Sequence, residues 1–162
     1  MVWPRLSYSV LEPAAVRQLV FDMVHGLMRN RVRLHHQRRA EDPWCRLCLS
    51  PRGGGQRLEQ DLVHIFTKCC LVRQAWQYTR ALVRQQQPGG GLLGEEELVS
   101  FTFINKGQDK EVVWILANFF HLVLTECEVK GKELKVAGVR GQLQAKLRSA
   151  RYRNVGQLNV KI

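Results

Sequence analysis

Two cysteines, a histidine and a third cysteine stand near the middle of this 162-residue chain in the pattern C-x2-C-x15-H-x4-C. The four residues are Cys45, Cys48, His64 and Cys69. A gap of two residues lets one tight turn direct both cysteine sulfurs toward a single tetrahedral ion, and the later pair supplies the remaining two ligands. Four protein ligands leave no open position for water, so the pattern predicts a structural zinc site rather than a catalytic one.

The spacing of the second ligand pair constrains the local fold. Five positions along an unbroken helix correspond to a rotation of about 140°, so His64 and Cys69 can converge on one ion only if the helix ends between them. We therefore expect a short helix over residues 58–66 and a second helix over residues 71–86, whose positively polarised start lies beside Cys69. Cys70 is the competing fourth ligand, and the H-x4-C spacing favours Cys69.

Two alternatives to a metal site stay open for the five cysteines. They could be unrelated buried thiols, since free cysteine is among the residue types most often found buried. Disulfides are the weaker alternative, because five is an odd number and residues 1–20 lack the charged and apolar regions of a secretory signal.

The metal motif belongs to a longer set of recognisable segments. The set consists of Phe21-Asp22-Met23-Val24-His25-Gly26-Leu27-Met28, Arg31-Val32-Arg33-Leu34-His35, Cys45, Cys48, His64-Ile65-Phe66, Cys69 and Trp76. Taken together, these segments resemble the zinc-binding C-terminal region of non-LTR (LINE-type) retrotransposon reverse transcriptases, over nearly the whole chain. The chain departs from that family at Gln60, where a glutamate is frequent, and at residues 51–55, which lengthen the gap between the ligand pairs.

The resemblance has implications for function. It implies a nucleic-acid-binding appendage of a polymerase that copies element RNA at a nicked DNA target. A reverse transcriptase core of the same element would then be a further partner.

Charge points independently to a polyanionic partner. The formal net charge is +11 and the isoelectric point is about 10.0, while 45% hydrophobic and 24% charged residues are ordinary for a folded soluble chain. Nucleic acid, either RNA or DNA, is the commonest such partner, and an anionic membrane surface is the rival. No run of eighteen apolar residues occurs. We expect an intracellular protein, nuclear or cytoplasmic, with no membrane partner and no small-molecule substrate.

Two basic segments are the candidate nucleic-acid contacts. Arginine favours bidentate contact with phosphate, and the predicted zinc site would hold the first segment in place, although a solvated helix face is the ordinary alternative for such a run. The C-terminal segment has the pattern of an amphipathic basic helix, for which a membrane-surface or partner-binding role is also open. The candidate residues are Arg29, Arg31, Arg33, Arg38 and Arg39 in the first segment, and Lys146, Arg148, Arg151 and Arg153 in the second.

Composition divides the chain into three parts. Residues 1–87 form a helical zinc-binding region, and residues 95–162 form a helical C-terminal subdomain with a basic arm. Residues 88–94, with Pro88 and three consecutive glycines, are typical of a flexible linker between them. The predicted fold is therefore mainly α-helical. It consists of a small helical domain stabilised by one structural zinc, followed by a helical C-terminal subdomain.

Apolar periodicity predicts two further helices. One covers residues 12–28 and has a single apolar face. The other covers residues 111–128 after a cap at Asp109, is apolar almost all round, and is too short and interrupted to span a bilayer. The short apolar run 98–104 could be helix or strand.

No catalytic constellation is evident in the sequence. A polymerase motif with paired aspartates is absent, and no other arrangement of acids, serine or histidine suggests catalysis. We therefore expect a binding module, not an enzyme, without the polymerase or endonuclease core of the retroelement. The alternatives are a zinc-scaffolded protein-interaction module and a truncated, inactive retroelement relic.

Overall fold

A computed structural model describes residues 14–86, 93–103 and 110–152, together with Leu11, Val160 and Ile162. The fold over these residues is mainly helical, as predicted. Within them, seven α-helices follow one another along the chain: α1 Ala14–Val24, α2 Arg31–His36, α3 Arg46–Leu49, α4 Arg73–Gln85, α5 Glu95–Ser100, α6 Lys110–Leu122 and α7 Val136–Tyr152.

The first helix is shorter than predicted at its C-terminal end. We expected it to reach residue 28, but α1 ends at Val24 because Gly26 takes a left-handed conformation with φ of 62°. The backbone N–H of Leu27 then donates to the carbonyl of Asp22, at 2.7 Å. This six-to-one hydrogen bond, with glycine just past the helix end, is the Schellman arrangement that closes many helices. The predicted start at residues 12 and 13 lies outside the described residues.

The second helix carries the first basic segment. Asn30 caps α2, because its side chain accepts a hydrogen bond from the backbone N–H of Arg33 at 2.8 Å. The helix ends at His36, and Arg38 has a left-handed φ of 55°. The basic segment is therefore a short capped helix followed by a tight turn, which separates its arginines into two groups.

The predicted helix over residues 58–66 is wrong in its first part. Residues 58–60 are extended and pair with the segment before the first ligand, where Trp44 and Glu59 form an isolated antiparallel bridge. The N–H of Cys45 donates to the carbonyl of Leu58 at 2.8 Å. Helical structure begins only after Asp61 and continues to Lys68. Backbone pairing with residues 43–45 therefore overrides the helical pattern.

Helix α6 is the centre of the fold, in agreement with the prediction that it is buried. Every residue from Val112 to Phe120 is buried, and α1, α4 and α7 all pack against this helix. Its C-terminal continuation, Val123–Val129, has the wider hydrogen bonding of a π-helix. The predicted cap at Asp109 lies outside the described residues.

Aromatic side chains join α6 to the region of the predicted metal site. The ring of Phe120 lies 4.6 Å from that of Phe66 and 6.2 Å from that of Trp76, measured between centroids. Buried residues before and after the predicted linker belong to one hydrophobic core. Residues 87–92 lie outside the described residues, and the division into two subdomains stays a prediction.

The length of the central helix calls for a correction. Residues Lys110–Val129 form one helical stretch of 20 residues, which is long and apolar enough to cross a membrane. The expectation that it is too short to do so is therefore wrong. In this fold, 67% of the most apolar 18-residue stretch of this helix is buried inside the protein. Such burial is typical of the core helix of a folded domain.

The segment 98–104, which sequence left open, is helical as far as Ser100. Phe101 then turns the chain with a left-handed φ of 55°, and Phe103 is fully buried. At the other end of the fold, α7 buries Val139 and Leu143 and thereby docks the C-terminal helix on the core.

Candidate metal centre

The four predicted ligands lie together in the interior. Their ligand atoms, three sulfurs and one imidazole nitrogen, are all within 4.8 Å of one another. The Cys69 sulfur is 4.0 Å from that of Cys45 and 3.9 Å from that of Cys48, and the Cys48 sulfur is 3.3 Å from Nε2 of His64. Sulfurs bound tetrahedrally to zinc at about 2.3 Å would be about 3.8 Å apart. The cluster therefore has the size and donor set to hold a metal ion.

The first ligand pair lies on a compact turn around α3. Cys45 precedes this helix and Cys48 lies within it, and the N–H of Cys48 donates to the sulfur of Cys45. The chain then folds back tightly, so a Cβ atom at Gly53 would collide with the carbonyl of Leu47 and with the backbone of Cys48. The glycine at this position is thus required by the turn that presents the two sulfurs.

The second pair lies where a helical turn ends, as the spacing predicted. The N–H of Cys69 donates to the carbonyl of His64 at 2.8 Å, and Cys69 itself leaves the helix with φ of −56° and ψ of 139°. Asp61 fixes the start of this turn, because its carboxylate accepts from the N–H of His64 at 2.6 Å. The π-helical turn His64–Lys68 and the extended conformation of Cys69 place the imidazole and the sulfur on the same side of the backbone, facing the first ligand pair.

Cys70 lies outside the cluster of four. Its side chain is partly buried, and its backbone N–H donates to the sulfur of Cys48 at 3.5 Å. The N–H of Leu71 donates to the sulfur of Cys69. Three backbone N–H groups thus face the three clustered sulfurs, an arrangement that stabilises thiolate charge.

Electrostatics within the cluster favour a bound cation. A hydrogen bond from Cys69 lowers the pKa of Cys45, and the same shared proton raises the pKa of Cys69. Burial raises the pKa of Cys48 to about 12. Three buried thiols therefore cannot all ionise without compensation, and a metal ion is the charge that would displace their protons.

Gln60 connects the cluster region to two distant segments. Its backbone carbonyl accepts from the N–H of Val32 in α2, at 3.4 Å. Its side-chain amide donates to both carboxylate oxygens of Glu128, at 3.3 and 3.2 Å. Sequence reasoning missed this link, because nothing local relates two residues that are 68 positions apart. Asp61, by contrast, could have been recognised as a cap from its place just before the helical turn.

The candidate arginines of the first basic segment fall into two groups. Arg29, Arg38 and Arg39 are exposed, and their side chains have no hydrogen-bond or ion-pair partner in the part of the chain that the structure describes. Arg31 is partly buried and pairs with Asp42 at 3.3 Å. Arg33 is also partly buried and donates to the carbonyl of Gly26. The last two therefore have structural partners, and the first three are free for an external ligand.

The candidates of the second segment are likewise unequal. Lys146 is partly buried, donates to Oδ1 of Asn118 at 3.0 Å, and has a pKa lowered by burial. Arg148 is exposed on α7. Arg151 lies in the last turn of α7, but its side chain lies outside the described residues, as does Arg153. The nucleic-acid role of these residues therefore stays a prediction, with Arg148 better placed than Lys146.

Two exposed arginines beside the metal cluster were missed by sequence reasoning. Arg52 and Arg57 lie in the loop between the two ligand pairs and are exposed. Neither side chain has a partner among the residues that the structure describes. Their position between Cys48 and His64 in the sequence could have identified them as residues near the metal site.

Comparisons of this chain with protein-family models, with curated proteins and with solved structures found no match. The resemblance to non-LTR retrotransposon reverse transcriptases thus rests on the sequence segments named above and stays a prediction.

Proposed function

We propose that this protein is a zinc-dependent nucleic-acid-binding module that resembles the C-terminal tail of a retrotransposon reverse transcriptase and has no catalytic role of its own. The main support is the position of the free arginines. Arg52 and Arg57 lie between the two ligand pairs, and Arg29, Arg38 and Arg39 lie in the segment that precedes the first ligand.

Zinc is the metal that this donor set favours. Three thiolates and one imidazole in a closed, buried arrangement are typical of structural zinc sites. The ligand side chains are between 0 and 5% exposed, so no position is left for a substrate. Such a site stabilises the fold and performs no chemistry on a ligand.

The charge distribution supports a phosphate backbone as the partner. Asp42 pairs with both Arg31 and Arg46, at 3.3 and 3.0 Å, and these pairs hold the segment before the cluster. The exposed arginines before the cluster and between its ligand pairs have no such partner among the described residues, so their charge is available to an external anion. Exposed guanidinium groups on a rigid support suit contacts with phosphate oxygens.

The salt dependence of binding tests the proposal. The affinity of the zinc-loaded protein for single- and double-stranded RNA and DNA should fall steeply with salt, because each neutralised phosphate releases condensed counterions. The double variant Arg38→Ala/Arg39→Ala should lower the logarithmic slope by about 0.7 to 0.9 for each phosphate that it no longer neutralises. Arg80→Ala is the matched control, because Arg80 already pairs with Glu95 at 3.5 Å, and its slope should match that of the wild type.

Two results would overturn the proposal. The first is an absence of salt-dependent binding to any nucleic acid by a protein that is folded and zinc-loaded. The second is a double variant that binds like the wild type. Binding to a protein or to anionic vesicles in place of nucleic acid would favour the interaction-module alternative.

A further inference from the structure

An open groove of about 570 Å³ lies between α2 and the segment that leads into His64. One side of the groove is contributed by Arg33, His36 and Gln37 of α2 and its C-cap. Other lining residues are Asp61, just before the helical turn, and Glu96, in the first turn of α5. The groove therefore adjoins the metal centre without including any of its ligands.

The lining combines an apolar surface with exposed polar side chains. Val32, Leu62 and Val63 supply the apolar part. His36 and Glu96 contribute side chains that have no hydrogen-bond partner within the described portion of the chain. This mixture is typical of pockets that hold a flat, partly polar ligand, and the volume lies in the usual range for small ligands.

The position of the free arginines indicates which ligand this is. Arg29 immediately precedes the cap residue of α2, and Arg38 and Arg39 immediately follow Gln37. The groove is thus flanked along the chain by exposed cations at both ends of the helix that lines it. Exposed cations at both ends of one helix suit the phosphates of a nucleic acid, which makes a nucleobase the candidate ligand of the groove.

We propose that the groove binds one unstacked base of a single-stranded nucleic acid and prefers a base that carries an exocyclic amino group. The inference rests on the proposed nucleic-acid-binding function and specifies its ligand. Only a single strand can turn a base into a side pocket at little cost, because a duplex keeps its bases stacked and paired.

The two carboxylates give the groove its base preference. The carboxylates of Asp61 and Glu96 accept hydrogen bonds, and one oxygen of Asp61 already accepts from the N–H of His64. Adenine, cytosine and guanine each carry an exocyclic amino group as donor, whereas uracil and thymine carry none and offer a single ring N–H between two carbonyl oxygens. His36 offers an aromatic ring on which the base can stack.

The test compares short single-stranded homopolymers with a duplex of the same length, using the zinc-loaded protein. We expect oligo-C and oligo-A to bind roughly five- to tenfold more tightly than oligo-U at the same salt concentration, as one good base contact provides. The duplex should bind more weakly than oligo-C. His36→Ala should weaken binding of oligo-C without changing the salt slope, because the ring makes no phosphate contact.

Charge and base preference are separated by two matched variants. Glu96→Gln should reduce the preference for oligo-C over oligo-U, because an amide can also donate to a carbonyl. Glu133→Gln removes the charge of another exposed glutamate far along the chain, before α7, and should leave the ratio unchanged. Circular dichroism and zinc content confirm that each variant is folded, and His36→Ala is the second groove variant if Glu96→Gln does not fold.

The outcomes distinguish this inference from the proposed function. Loss of all salt-dependent binding by the wild type would overturn both. Normal salt-dependent binding with equal affinity for oligo-C, oligo-U and duplex would overturn only the groove inference. The same conclusion would follow if Glu96→Gln and Glu133→Gln behaved alike.

Discussion

Replacing Phe120 with alanine should destabilise the metal centre and the helical core together. Phe120 is fully buried in α6, with its ring 4.6 Å from that of Phe66 and 5.8 Å from that of Phe101. Removing a buried phenylalanine side chain costs about 3–5 kcal/mol of unfolding free energy. Domains of this size have only about 5–15 kcal/mol in total. Because Phe66 lies two positions after His64, the destabilisation should reach the ligand cluster as well.

The assay follows two signals during urea unfolding of the cobalt-substituted protein. Far-ultraviolet circular dichroism reports the helices, and the cobalt–thiolate absorbance reports the metal centre. Both transitions should move together to lower urea in Phe120→Ala. Phe120→Leu should lose less, about 1.5 kcal/mol or under, because it keeps most of the volume. Val129→Ala, at a side chain that is 79% exposed, should change stability by about 0.5 kcal/mol or less.

A separation of the two transitions would contradict this prediction. If the helical transition moved while the cobalt signal stayed at its wild-type midpoint, the metal region would fold independently of α6. The predicted division at residues 88–94 would then describe two separately folding units, and the shared core would not couple them.

Three further predictions concern the ligands, the turn that presents them, and a partly buried lysine. Cys69→Ser should lose zinc and Cys70→Ser should keep it, as measured by metal content after dialysis; the opposite result would transfer the ligand role. Gly53→Ala should lower the thermal midpoint, because the added Cβ would collide with backbone atoms. Gly138→Ala has open space around its Cβ and should stabilise α7 by up to about 1 kcal/mol. Equal effects of the two substitutions would contradict the turn geometry. Burial lowers the pKa of Lys146 from 10.5, so the unfolded chain binds more protons between the folded pKa and 10.5, and unfolding free energy should rise with pH in that window. Lys146→Met should remove that rise in denaturant titrations at several pH values, and an unchanged pH profile would exclude Lys146 as its source.

The sequence was most informative where the structure depends on local spacing. The grouping of Cys45, Cys48, His64 and Cys69 followed from ligand spacing and from the need for a helix to end before Cys69. The burial of the central helix followed from its apolar residues. The ligands are up to 24 positions apart, but their residue types and the spacing within each pair identify them, and the apolar pattern of the helix is local.

Features that depend on distant residues were not predictable. Residues 58–60 are extended because they pair with residues 43–45, which no helical pattern could indicate. Arg31 and Lys146 belong to the basic segments, but Arg31 forms an ion pair with Asp42 and Lys146 donates a hydrogen bond to Asn118. Charge in a sequence therefore identifies basic segments, while the fold decides which of their side chains remain available.

Zinc K-edge X-ray absorption on the purified protein, together with its zinc content, is the decisive measurement on the metal centre. We expect about one zinc per chain, with three sulfur ligands at about 2.3 Å and one nitrogen ligand at about 2.0–2.1 Å. A shell dominated by oxygen and nitrogen, or a folded protein that contains no zinc and takes up none, would show that the Cys/His cluster is not a zinc site.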